Sequence, residues 1–112
     1  MNITDEDQQT ITEWAARHPK IREVWLYGSR AREDNRPDSD IDLAIVMQPQ
    51  DGVDTFARWS FWHSDYKENP DLHLSAEVHL EWYEEGADLE RVGSGVEKDG
   101  ILLFLRPEDV KG

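Results

Sequence analysis

GSRAREDNRPDSDIDLAIVM, residues 28–47, opens on Gly28-Ser29 and ends its polar part on Asp40-x-Asp42, with ten residues between Ser29 and Asp40. Strand-like residues flank the polar part, VWLY before it and LAIVM after it. Two carboxylates at i and i+2 on a strand project from one face. That spacing suits a pair of divalent ions about 4 Å apart, which activate an attacking oxygen and stabilise a leaving one. A helix beginning at Ser29 would turn its free N–H groups towards a phosphate. Gly28 would let the backbone approach, the Ser29 hydroxyl would add a donor, and Arg30 and Arg32 would neutralise the outer phosphates of a triphosphate. Alone, a Gly-Ser after a strand is commonly a turn, and a D-x-D pair a solvated edge or an Asx-turn. Together, with strands on both sides and arginines between, they point to a nucleotide and its metal ions.

The bulk numbers narrow the field. The chain has 112 residues, enough for one small domain but not for a catalytic and a substrate domain together. It has no cysteine, which excludes disulfides, zinc–thiolate sites and thiol catalysis. There is no apolar run of membrane-spanning length, and the acidic start MNITDEDQQ is unlike a signal peptide, so a cytoplasmic protein without a membrane partner is expected. The net charge of −13 disfavours direct nucleic-acid binding, because a phosphate polyanion is repelled. Six of the twelve Lys and Arg lie between residues 17 and 36, whereas residues 68–90 carry eight acids and neither Lys nor Arg. A basic island beside Gly28-Ser29 suits an anionic ligand, and the acidic remainder suits a basic protein partner.

Along the chain, Thr4-x-x-Asp7 reads as a capping box for a helix from about residue 5 to 18, ended by Pro19. IREVWLY, 21–27, reads as a central strand apolar on both faces. A short helix starts at Ser29 and is spent by Asn35-Arg36-Pro37, and a second strand runs from Asp40 to Met47. Asp54 caps a helix to about residue 68. Its aromatic residues Phe56, Trp59, Phe61, Trp62 and Tyr66 occupy more than one face, leaving ring surface for a partner or second subunit. LHLSAEVHL, 72–80, alternates as a strand, Glu84–Val96 reads as a short helix, and Asp99-Gly100 turns into a last strand, ILLFL. The expected architecture is one α/β domain over residues 1–112, a mixed sheet of about four strands with helices mainly on one face.

Gly28-Ser29, ten residues, then Asp40-Ile41-Asp42 resembles the signature of the nucleotidyltransferases of the DNA polymerase β-like superfamily. The short length, with GSRAR and SDIDLAIV, is similar to the minimal nucleotidyltransferases (MNT), the antitoxin half of HEPN/MNT toxin–antitoxin pairs. The resemblance implies the polymerase β palm-like fold and transfer of NMP, AMP from ATP, to a hydroxyl on a partner protein, a HEPN toxin. It implies Asp40 and Asp42 as ligands of two Mg²⁺ ions and Gly28, Ser29, Arg30 and Arg32 as the triphosphate cradle. The family's third carboxylate falls at His79 in Val78-His79-Leu80. Glu77 and Glu81 flank it on the same strand face, so either can complete the metal site, with Glu77 preferred and His79 as base or weak ligand. The alternative is a nucleotidyltransferase fold that neutralises its partner by contact alone.

Overall fold

The Thr4 hydroxyl accepts the Asp7 N–H at 3.0 Å and starts α1, Asp5–Arg17. Asp5, Glu6 and Asp7 add negative charge at the positive end of the helix dipole. The structure, a computed structural model, describes residues 1–86 and 90–107. After α1 come β1 (Ile21–Tyr27), the single-turn α2 (Ser29–Arg32), β2 (Ile41–Met47), α3 (Thr55–Glu68), β3 (Val78–Trp82), α4 (Glu90–Asp99) and β4 (Ile101–Leu105). The strands form one sheet in the order β3-β2-β1-β4. β1 pairs antiparallel with β2 and β4. β3 is parallel to β2, a return that needs the α3 crossover between them.

Alternation along β1 and β2 divides the domain into two layers. Val24 and Leu26 of β1, with Ile41, Leu43, Ile45 and Met47 of β2, face α1 and α3, where Ile11, Trp14, Trp59 and Trp62 close the main core. The second face carries Trp25, Tyr27, Ala44 and Val46, covered by Val92 and Val96 of α4 together with Tyr83. The mixed four-strand sheet with helices mainly on one face is thus as expected. Among the described residues, no helix is long and apolar enough to cross a membrane.

Two elements differ from the sequence reading. The expected strand over 72–80 is regular only from Val78. Residues 72–77 keep the alternation, with Leu72 buried and His73, Ser75 and Glu77 exposed, but they run along α1 instead of pairing with β2. Side chains of α1 hold them there. The Asp7 carboxylate accepts the Ser75 N–H at 3.1 Å and also the Ser75 hydroxyl, so it does not serve the capping box. Asp71 accepts the Trp14 indole N–H at 2.8 Å and His18 Nε2 at 2.7 Å. Because His18 Nδ1 accepts from the Trp62 indole at 3.3 Å, Nε2 carries the proton. The second difference is the last helix. It runs from Glu90 to Asp99; of the expected span, Glu84 to Gly86 are irregular, and 87–89 lie outside the described residues.

Arg106 closes the main core's far end. Its guanidinium donates to the carbonyls of Ala15, His18 and Ile21 at 2.8, 3.0 and 2.8 Å, tying the end of α1 to the start of β1.

Burial pushes the Asp71 carboxyl up, but the hydrogen bonds from Trp14 and His18 outweigh it and hold the group below its ordinary value. A depressed folded value means stabilisation that is present above the ordinary carboxyl range and is lost as pH falls through the folded value. Asp71→Asn is therefore expected to flatten the decline of stability below about pH 5, measured by urea denaturation across the acid range. An acid limb identical to that of the wild type would contradict this.

Candidate nucleotide and metal site

Tyr27 pairs with Asp42, and Asp42 pairs with His79, so the three stand in a row across the sheet on the face away from the main core. His79 Nε2 lies 3.2 Å from Asp40 Oδ2, and its Nδ1 lies 3.9 Å from Asp42 Oδ1. The register places Glu81 beside Ala44, a step further along the strand. Glu77 instead sits at the start of the ladder, where its carbonyl accepts the Ile41 N–H at 2.7 Å. Asp40, Glu77 and His79 each offer a ligand atom, and these atoms all lie within 4.8 Å of one another.

Gly28 makes the other half. Its φ of 78° and ψ of −155° belong to a region that is essentially restricted to glycine. A Cβ there would lie 2.7 Å from Asp42 Oδ2, so the missing side chain is also what lets the carboxylate approach. The N–H groups of Ala31 and Arg32 return to the Gly28 carbonyl at 3.1 and 3.2 Å, and the helix is over within one turn. A helix this short has little macrodipole, so an anion here relies on individual N–H groups and side-chain charges.

Tyr27, Gly28, Ser29, Arg32 and Asp42 form one wall of a cavity of about 620 Å³. The opposite wall is α4, through Ser94, Gly95, Lys98 and Asp99. None of these four was marked as a site residue in the sequence, where Asp99 reads only as part of the turn into the last strand. The available signal was the glycine pair in RVGSGVE: a helix containing two glycines is weakened unless another group must come close. That group is Tyr27, whose ring carbon would lie 3.1 Å from a Cβ at Gly95.

Of the two arginines expected at the triphosphate, only Arg32 faces the cavity. Arg30 is buried. Its Nε and Nη2 donate to the Ser39 carbonyl at 3.0 and 2.6 Å, and it also reaches the carbonyls of Asn2 and Pro37 at 3.1 and 3.4 Å. Within one helical turn, neighbouring side chains point in different directions, and Arg30 is the one turned into the loop that leads to Asp40. It positions that loop instead of meeting phosphate. Arg32 donates to Asp34 at 3.0 Å. That hydrogen bond and the Asp34 charge, with lesser contributions from Asp99 and Asp42, raise its pKa and keep it fully charged.

The polymerase β nucleotidyltransferase family model matches residues 9–109. The chain belongs to this family. Among solved structures, this chain superposes on one chain of a toxin–antitoxin complex crystallised with AMP-PNP at a TM-score of 0.56 and 21% identity, over 91% of this chain and 76% of that one. A chain of the MntA–HepT toxin–antitoxin complex gives 0.52 at 19% identity, over 92% and 74%. A chain of the Shewanella oneidensis complex between a tri-AMPylated HEPN toxin and its MNT antitoxin gives 0.51 at 20% identity, over 90% and 71%. At these identities the likeness is one of fold. No curated protein matches the chain.

Gly28→Ala is expected to lose about 1–3 kcal/mol of stability, the cost of holding a side chain in a glycine-only conformation. It should also displace the Asp42 carboxylate. Urea denaturation together with a crystal structure of the variant checks both, and an unmoved Asp42 at unchanged stability would contradict the assignment.

Proposed function

We propose that this protein moves AMP from ATP to a hydroxyl on a partner protein, as the MNT antitoxin of a HEPN toxin. The observation that carries the reading is the convergence of Gly28-Ser29, Asp40, Asp42 and the cluster around His79 on one sheet face beside a nucleotide-sized cavity. The toxin–antitoxin complexes with the same fold, one crystallised with AMP-PNP and one holding an AMPylated HEPN toxin, support the donor and the partner.

The carboxylates of Asp40, Asp42 and Glu77 are the hard oxygen donors that Mg²⁺ takes. The His79 imidazole is a nitrogen donor, which Mn²⁺ accepts more readily than Mg²⁺. These residues would hold the metal ions, which, when bound, supply charge neutralisation for the triphosphate and acidify the acceptor hydroxyl. Gly28 keeps the backbone close to the phosphates, Ser29 donates to them, and Arg32 and Lys98 offset their charge from opposite walls. The acceptor oxygen bonds to the α-phosphorus as the bond to the β-phosphate bridge breaks and pyrophosphate leaves. Glu77 and His79 are the groups placed to receive the acceptor's proton.

Incubating the protein with ATP, Mg²⁺ and the product of the adjacent gene should add an AMP-sized mass to that product, read by intact mass spectrometry. Absence of the addition, or its survival in Asp42→Asn, would sink the proposal. His79→Asp is expected to tighten Mg²⁺ binding by about tenfold, within the range seen when a metal's surroundings change by one group. Calorimetric titration with Mg²⁺ and Mn²⁺ checks this, and a wild type that already prefers Mg²⁺ as strongly as the variant would contradict it.

His79 in place of the third carboxylate also favours a second reading, neutralisation of the partner by contact. A contact-only antitoxin protects cells equally well after Asp40→Asn and Asp42→Asn, whereas a transferase loses protection.

A further inference from the structure

α4 separates two cavities. Ser94, Gly95, Lys98 and Asp99 face the nucleotide cavity, and Val96 and Glu97 line another of about 530 Å³ at the far end of the same sheet face. The second cavity contains none of the residues assigned to nucleotide or metal. Its aromatic lining is Trp25 and Tyr83, and carboxylates come from three elements: Glu23 of β1, Glu84 and Glu85 after β3, and Glu97 of α4, Glu84 already accepting the Thr55 hydroxyl at 2.8 Å. Arg22 is the single cation among the described lining residues, and it pairs with Glu23 at 4.0 Å.

Tyr83 shows where the cavity's polarity is focused. The residue is 8% exposed, and its hydroxyl has no hydrogen-bond partner among the described residues. Burial pushes its pKa up, and the charges of Glu97, Glu85 and Glu23 push it further. The hydroxyl is not sealed off from solvent, and a donor or cation entering the cavity can pair with its oxygen. Trp25 is held in place by its indole N–H, which donates to Glu23 at 2.9 Å, so its ring is fixed before anything binds.

We propose that this cavity receives an arginine side chain presented by the protein partner, its guanidinium set among Glu23, Glu85 and Glu97 against the rings of Trp25 and Tyr83. The planar fork of arginine matches several carboxylates and an aromatic face at once, which a compact ammonium group does not. The source is taken to be a protein, and this clause alone rests on the proposed function. A partner presenting its acceptor hydroxyl to the nucleotide cavity lies across α4 and reaches the second cavity on its other side. The chain's charge of −13, with eight acids and neither Lys nor Arg in residues 68–90, complements a basic partner surface.

The test is a titration of the ¹⁵N-labelled full chain with the peptide acetyl-Gly-Arg-Gly-amide at physiological ionic strength, following the Trp25 indole N–H signal by NMR. A parallel titration uses spermidine. Saturable movement of the Trp25 signal with the arginine peptide is expected. In Glu85→Gln/Glu97→Gln, both exposed positions, affinity should fall about tenfold with the charge-assisted hydrogen bonds. Glu6→Gln/Glu13→Gln removes the same charge from α1 and should leave affinity unchanged. No saturable shift, equal weakening in the two variants, or spermidine saturating the signal at lower concentration than the peptide would each overturn the proposal, the last by assigning the cavity to free polyamines. The titration contains neither nucleotide nor metal. Its failure would leave adenylyl transfer standing, and failure of transfer would leave an arginine-binding cavity standing.

Discussion

The close approach of Gly28 to the Asp42 carboxylate is the constraint on which the site depends. A Cβ at Gly28 would lie 2.7 Å from Asp42 Oδ2, so the turn leaving β1 and the first residues of β2 fit together only with glycine in that position. The antiparallel register that pairs Tyr27 with Asp42 brings them face to face. The parallel register of β3 then adds His79 and Glu77 beside them. The groups proposed to meet metal and phosphate therefore come from three separate elements, yet their mutual placement follows from two strand registers and one glycine.

Other parts of the chain hold that arrangement from behind. Arg30 donates to three backbone carbonyls and fixes the loop running into Asp40. Asp7 and Asp71 are bound to groups across the α1 surface, and they bring the irregular segment 71–75 to where β3 can begin. Each is a charged or polar group whose hydrogen bonds are satisfied inside the protein. Each would be costly to leave unpaired. α4 completes the site from the front, and it does so with small residues, because Tyr27 lies directly beneath Gly95.

Much of this was legible in the sequence. IREVWLY and LAIVM have the β-branched and aromatic content of central strands and are β1 and β2, and Thr4 and Asp54 mark the starts of α1 and α3 through short-range hydrogen bonds that local sequence encodes. Gly28-Ser29 and Asp40-x-Asp42 carry fold information because their spacing reflects one turn and one loop between paired strands. Three features were not legible. The direction of Arg30 depends on the carbonyl of Asn2, twenty-eight residues earlier, and on a loop that folds back to bring the Ser39 carbonyl to its guanidinium. The late start of β3 depends on side chains of α1 some sixty residues earlier, against an alternation that continues unbroken through 72–77. The role of α4 depends on which face of a glycine-containing helix meets the sheet. All three depend on tertiary contacts that override or redirect a correct local reading.

A nucleotide is expected to occupy the cavity between the Gly28 turn and α4. The direct measurement is an NMR titration of the labelled protein with AMP-PNP and Mg²⁺, following the backbone amides. Saturable shifts at Gly28, Ser29, Asp42, Gly95 and Lys98, on both walls at once, are the predicted result. Shifts confined to other surfaces, or amides at Gly28 and Gly95 that stay unmoved at saturation, would contradict it.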